Sequence, residues 1–405
     1  MRQKHDISAV VVGMNVNGLA VTRVLGRHGV PVAAIAQDTP SAEVRTRYVR
    51  ELWHSAHGGD ILAELLLEQG RQSAERPVLF PITDEAVQTV ADHLDELGER
   101  YRIGMSEAVL VRSLLDKRGF GEIAQRLSMP APRTFFVDRA EQMEEVAQKM
   151  AYPCILKPQV KSTAYQNAGG KKAYLLDNTA ALLNVYGAFR QAEPRVIVQE
   201  YIPGGDNEVY FCLQYYNRSG EPLVSFCGHK IRQWPPLCGG TASCEPVDVP
   251  ELVTLSSGFF QQLRFHGLCS MEFKRDPRDG RFLMIEPTVC RTDWQSGVAD
   301  INGVPIPYIA YCDLTGAPLP NCVRRQRPIK WVHLSSDRQS ADYYRKRGEL
   351  TRWQWLTSIR PPVRGALFAW DDPKPWLSLM WLKVVRKIRR LFDTIHGHAV
   401  TREKG

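Results

Sequence analysis

The sequence predicts an α/β and α+β protein in three parts: a doubly wound N-terminal domain (1–105), a mixed α+β region (106–320) and a basic helical C-terminal extension (321–405). Three observations predict it. Short apolar runs alternate with amphipathic helices as far as Met105, the pattern of a parallel, doubly wound sheet. Farther on, two strands flank an Asp-Gly turn, Cys269–Arg275 and Arg281–Thr288, and each carries one acid in apolar company. In the tail, Leu377, Trp381, Val384, Ile388, Leu391 and Ile395 recur at steps of three and four, which is one face of a helix.

The N-terminal elements follow in order. Val10–Gly13 is a buried-type strand, followed by a Gly-marked turn and a helix from Leu19 to Arg27; Val32–Ala36 is the second strand. A helix at Ile61–Glu68, a strand at Val78–Ile82, a helix at Glu85–Leu97 and a strand at Tyr101–Met105 complete the alternation. The turn Gly13-Met14-Asn15-Val16-Asn17-Gly18 invites a dinucleotide reading, with Asp38 as the ribose acid. Asn15 nevertheless stands where GxGxxG needs its middle glycine, so a nicotinamide or flavin oxidoreductase is the weaker alternative.

The middle of the chain is more varied. Ser106–Ser128 reads as two short helices, with Lys117 between them. Thr134–Val137 is a strand and Ala140–Met150 a helix. The apolar strand in YPCILKPQ ends at Lys157-Pro158, just before VKSTAYQNAGGKK. That run, with Gly169, Gly170 and Lys172, has the composition of a loop whose amides and ammonium groups cover phosphates, although no Walker A motif is present. Strands at Arg195–Ile202, Val209–Tyr216 and Leu223–Cys227 follow, then Lys230 and Arg232 in HKIRQWPP and a glycine turn at 238–241. After a helix at Leu252–Phe265 come the acid-bearing hairpin, a helix at Trp294–Ile301 capped by Thr292 or Asp293, and a helix at Pro305–Leu314.

Charged side chains are rarely left in apolar strands without a partner. Glu272 and Glu286 sit on neighbouring strands, near enough to share an oxygen-preferring cation such as Mg²⁺, and Arg291 follows where it can meet phosphate. The plainer alternative is an ordinary hairpin with two salt-bridged glutamates. Lys230 and Arg232 are candidates to grip the acceptor's carboxylate or phosphate, or are simply a solvated strand end.

Composition excludes several classes. With 44% hydrophobic and 24% charged residues the chain is globular, and it has length for two or three domains. Neither a signal peptide nor an apolar run of about 18 residues is visible. Nine scattered cysteines without a CxxC pair argue against a disulfide framework or a zinc site and for a reducing cytoplasm. The net charge of +8 is concentrated at the end: from Lys374 onward eight basic residues face two acidic ones. The near-neutral body gives no reason to expect nucleic acid.

Taken together, the pieces over roughly residues 1–320 resemble the ATP-grasp fold, in which two α+β subdomains clamp ATP beside an N-terminal doubly wound domain. The likeness lies in the Asp116-Lys117 pair, the strand-end Lys157-Pro158, the Gly169-Gly170 loop, the strand end QEYI and the two glutamates. The segments GHKIRQWPP, GGTASCE and IEPTVCRTDWQ resemble carboxylate–amine ligases associated with exopolysaccharide gene clusters.

The resemblance implies roles. Lys117 and Lys157 would bind ATP phosphates, Glu200 and Ile202 would line the adenine and hinge pocket, and Glu208 would take the ribose. Glu272 and Glu286 would hold Mg²⁺ or Mn²⁺. The family commonly has Asn two residues after the second glutamate; here it is Thr288, whose hydroxyl is a poorer direct metal ligand than an amide oxygen. The implied activity is ADP-forming ligation of a small carboxylate and an amine through an acyl phosphate, with Arg291 stabilising the transferring group. A nucleotide-binding regulatory module without turnover is the alternative that Thr288 supports.

The tail lies outside the resemblance. Six of nine tryptophans fall in residues 325–405, so the segment is expected to be ordered. Across 376–396 the apolar stripe either docks on the protein's own core or lies in a membrane interface, which would put the protein at the inner face of the membrane.

Overall fold

The computed structural model describes residues 5–37, 41–55, 58–159, 170–171 and 173–385. A five-stranded parallel sheet opens the chain, with order β3-β2-β1-β4-β5. Its strands are β1 (Ala9–Val12), β2 (Val32–Ala36), β3 (Val49–His54), β4 (Val78–Pro81) and β5 (Arg102–Ile103). The inner strands AVVV, VAAIA and VLFP are buried at every position because helices cover both faces. These helices are α1 (Val16–Arg27), α2 (Asp60–Gln72), α3 (Asp84–Asp92) and α4 (Leu94–Arg100). Strand β3 is absent from the sequence reading because VRELWH is an exposed edge with no apolar run. The single helix expected over 85–97 is interrupted at His93.

The start of α1 removes the dinucleotide alternative's site. Asn15 Oδ1 accepts the amides of Asn17 at 2.8 Å and Gly18 at 3.0 Å, so the helix caps itself instead of presenting these donors to a pyrophosphate. Asn17 is buried, donating from Nδ2 to Thr292 O at 2.7 Å and accepting from Thr292 Oγ1 at 2.7 Å. Thr292 is therefore a tether to α1 and not a helix cap. Gly18 is required by close approach, since a Cβ there would meet Gly13 O at 2.0 Å. Asp38 lies outside the described residues.

Helices α5 (Ala108–Leu115) and α6 (Lys117–Arg126) lead into a four-stranded antiparallel sheet of order β6-β9-β7-β8. Its strands are β6 (Thr134–Val137), β7 (Cys154–Pro158), β8 (Tyr174–Leu176) and β9 (Val196–Glu200), backed by α7 (Gln142–Lys149) and α8 (Thr179–Phe189). Val137, Met143, Leu156, Leu182, Phe189 and Val198 form a core separate from those of the larger body.

The third sheet has seven strands in the order β14-β13-β10-β11-β12-β15-β16. They are β10 (Val209–Tyr216), β11 (Pro222–Trp234), β12 (Gly240–Pro246), β13 (Gly267–Arg275), β14 (Phe282–Val289), β15 (Lys330–Val332) and β16 (Val363–Gly365). Helices α9 (Pro250–Gln262), α10 (Gly297–Ile301) and α11 (Ile306–Thr315) pack around it. The strand expected to stop at Cys227 runs on through HKIRQW to Trp234. At Gly267, φ is +121° and a Cβ would meet Gly104 O at 2.3 Å, so only glycine lets β13 start against the N-terminal domain.

The expected C-terminal extension is built into this sheet. Ser243 and Cys244 of β12 pair with Val332 and Trp331 of β15. α12 (Leu334–Lys346) and α13 (Arg352–Ser358) follow, and a last helix, α14, covers 374–385. Buried Asp372 accepts from Arg23 Nε at 2.9 Å, Thr46 Oγ1 at 2.6 Å and Arg47 N at 3.0 Å, fastening the segment before α14 to the N-terminal domain.

Candidate active site

A cleft of about 1140 Å³ separates the four-stranded sheet and α6 from the β13–β14 hairpin. Lys117, Lys157, Glu200, Lys230, Glu272, Glu286, Thr288 and Arg291 all line it, although they come from positions 174 residues apart in the chain. Lys117 is exposed at the first position of α6, which Asp116 caps by accepting the Gly119 amide at 2.8 Å. Lys157, one residue from the end of β7, donates to Gln199 Oε1 at 3.2 Å.

The hairpin brings the two glutamates together. Glu272 and Glu286 are direct cross-strand partners, which puts both carboxylates on one face. Phe211 and Gly228 continue the same row across β10 and β11, and Lys230 lies two residues beyond Gly228 on that face. Its ammonium, 2% exposed, reaches Glu272 Oε1 at 2.6 Å. Burial pushes the Glu272 carboxyl up to about 7 against the pull of Lys230, with Asp293 and Glu286 adding repulsion. Glu272, Glu286 and the Thr288 hydroxyl together offer oxygen donors of the kind a divalent cation prefers, although no group of three or more His, Cys, Asp or Glu side chains suited to a metal occurs among the described residues.

Arg291 sits at the far end, with Nε 2.7 Å from Asp84 Oδ1 and Nη1 donating to Thr292 O at 3.1 Å. Asp84 was missed from sequence. It belongs to the helix that starts beyond the carboxyl end of β4, where doubly wound sheets place their ligands, and that was the available signal. Asp293, read as a helix cap, is a wall residue of the cleft. Its carboxylate accepts from Ser270 Oγ at 2.9 Å, Gln295 Nε2 at 2.9 Å and Trp294 N at 2.8 Å, while α10 starts after Ser296 without a side-chain cap.

Several expected residues lie elsewhere. Arg232 is on the opposite face of β11 from Lys230. The ladder pairs Lys230 with Cys244 and Arg232 with Ser243, so Ile231 is an extra residue that flips the alternation. Arg232 Nε is 2.7 Å from Asp337 Oδ1 and Nη1 donates to Ser358 Oγ at 2.8 Å, deep under α12 and α13. It is a structural ion pair and not a grip for substrate. Ile202, Glu208 and Gly170 do not line the cleft; Glu208 Oε2 is buried without a hydrogen-bond partner among the described residues. Gly169 and Lys172 lie outside the described residues. Glu200 does line the cleft, and its Oε1 is 3.1 Å from Arg278 Nη2 of the hairpin turn, linking the two sides at their edge.

No family model matches the chain. Among solved structures, the ADP complex of N5-carboxyaminoimidazole ribonucleotide synthetase superposes with a TM-score of 0.61 at 13% identity, covering 80% of each chain. The L-amino acid ligase of Bacillus licheniformis gives 0.57 at 14% identity over 77% of this chain and 75% of that one. The fold is ATP-grasp. In sequence, the chain is similar to the D-aspartate ligase of Enterococcus faecium (strain Aus0004), 23% identical over 255 residues. That match spans 60% of this chain and 60% of the ligase. The large chain of carbamoyl phosphate synthase from Methanosphaerula palustris is 24% identical over 206 residues, 48% of this chain and 18% of that one.

Proposed function

We propose that the protein is an ATP-dependent, ADP-forming carboxylate–amine ligase. The observation that carries this reading is the assembly of opposed charges in one cleft. The acid pair Glu272/Glu286 and the cations Lys230 and Arg291 stand on the large sheet, while Lys117 and Lys157 stand on the α6 and β7 side. The ATP-grasp relatives named above include two amino-acid ligases, which supports the same class.

Lys117 and Lys157 would hold the ATP phosphates by charge-assisted hydrogen bonds. Glu272 and Glu286, with Thr288 orienting a bound water, would hold Mg²⁺. That ion supplies charge neutralisation on the β- and γ-phosphates. Lys230, 2.6 Å from Glu272 Oε1 in the cleft wall, would neutralise negative charge on the transferring phosphoryl group. A substrate carboxylate oxygen attacks the γ-phosphorus, the bond to ADP breaks, and an acyl phosphate forms. The amine then attacks the acyl carbon and inorganic phosphate leaves. Arg291, oriented by Asp84, would stabilise negative charge on the acyl phosphate. Cys212 and Cys227 are directly opposed across β10–β11 without being joined in a disulfide, which supports a reducing setting.

The deciding experiment measures ADP release over amino acids and sugar acids, each with and without paired amines. Release that requires both a carboxylate and an amine is expected. Tight nucleotide binding with no release for any pair would instead make the protein a nucleotide-dependent binding module.

A further inference from the structure

From the exposure of α14 and the charge around it, we propose that the protein docks on an anionic lipid surface through residues 368–385. This inference does not depend on the ligase reading. The last helix half-buries Leu379, Leu382 and Val385 but leaves a second apolar stripe bare: Leu377 is 53% exposed, Trp381 68% and Val384 48%. These three recur at steps of four and three and so form one stripe. At its base, Trp370 (80% exposed) and Trp376 (37%) stack edge-on against Phe368, with ring centroids 4.9 and 5.6 Å from it. Soluble domains seldom leave so much contiguous aromatic and aliphatic surface bare.

The surroundings favour lipid over another occupant. No Asp or Glu occurs between Asp372 and Asp393, whereas Lys374, Lys383, Arg386, Lys387, Arg389 and Arg390 do. Lys383 lies two residues from Trp381, about 200° around the helix axis, and so flanks the apolar stripe, while Lys374 stands at the stripe's N-terminal end. Tryptophan with leucine on one side and lysine or arginine on the other is the composition of a helix lying in the headgroup layer. No helix among the described residues is long and apolar enough to cross a membrane. The helix is also rigidly mounted. Just before it, Asp371 accepts from Arg27 Nε at 2.9 Å and Tyr48 Oη at 2.6 Å, beside the buried Asp372 cluster. A fixed base means that little ordering entropy opposes docking.

Co-sedimentation with phosphatidylcholine vesicles, with and without phosphatidylglycerol, tests the proposal on the full chain. Binding is expected to the anionic vesicles only and should weaken as salt rises. The double variant Leu377→Ser/Trp381→Ser should bind at least about tenfold more weakly, from the apolar surface withdrawn. Lys383→Gln should weaken binding about fivefold, the worth of one basic residue at an anionic leaflet. Circular dichroism should stay unchanged in both variants, since all three side chains are exposed. Three results would each overturn the proposal: no binding to either vesicle, equal binding by wild type and the double variant, or a lipid-free dimer that the double variant abolishes. The last would assign the stripe to a second copy of the chain.

Discussion

Replacing Arg232 tests whether the flip at Ile231 has been read correctly. In the structure Arg232 is 6% and Asp337 0% exposed. The Asp337 carboxylate takes three donors: Arg232 Nε at 2.7 Å, Ser243 Oγ at 2.5 Å and Trp355 Nε1 at 2.7 Å. In Arg232→Met the carboxylate keeps two neutral donors and loses its only charged one among the described residues. Breaking one side of a buried pair costs about 3–5 kcal/mol, because the remaining charge stays out of water. The double variant Arg232→Met/Asp337→Leu removes both charges and should recover much of that loss, since an apolar replacement of similar volume is often neutral. Urea unfolding followed by tryptophan fluorescence measures the midpoint and slope of all three proteins. Below its unfolding range, Arg232→Met should release ADP within about threefold of wild type, a difference of less than 1 kcal/mol in barrier. A variant with wild-type stability and activity reduced by a hundredfold would refute the argument and return Arg232 to the cleft.

Three further outcomes are expected. Glu286→Gln should lower ADP release by about 10³-fold or more with the fold intact, the scale of losing a metal-holding charge; near-normal turnover at saturating Mg²⁺ would sink the assignment. Lys157→Met should weaken a non-hydrolysable ATP analogue by about 1–3 kcal/mol in calorimetric titration, and unchanged affinity would leave it an ordinary surface lysine. The hydrogen bond from the Arg27 guanidinium, with that from Tyr48, holds the Asp371 carboxyl below its ordinary 3.8. Its stabilising contribution is therefore present above that value and lost as the pH falls below it. Because Asp371 is 42% exposed, Asp371→Asn should lose only about 0–1 kcal/mol at neutral pH, and its unfolding curve should lose part of the acid-side slope of the wild type.

The local code of this chain determined much on its own. Apolar runs such as AVVV and VAAIA allow little except buried parallel strands, and Thr134–Val137 and Val209–Tyr216 are strands with the same bounds in sequence and structure. The acid pair was equally legible, because a glutamate in an apolar strand needs a reason, and Asp279-Gly280 sets the two strands against each other. What the sequence could not carry was anything dependent on the third dimension. Lys230 and Arg232 look equivalent in HKIRQW, and one unpaired residue sends them to opposite faces, toward Glu272 and toward Asp337. Asp84 meets Arg291 across 207 residues only because the N-terminal sheet abuts the hairpin. The tail's two short strands join the sheet through β12, where Val332 pairs with Ser243 across 89 residues, and α14's apolar stripe remains exposed. Helical periodicity identifies an apolar face, but whether that face meets the protein's own core depends on where the rest of the chain has folded.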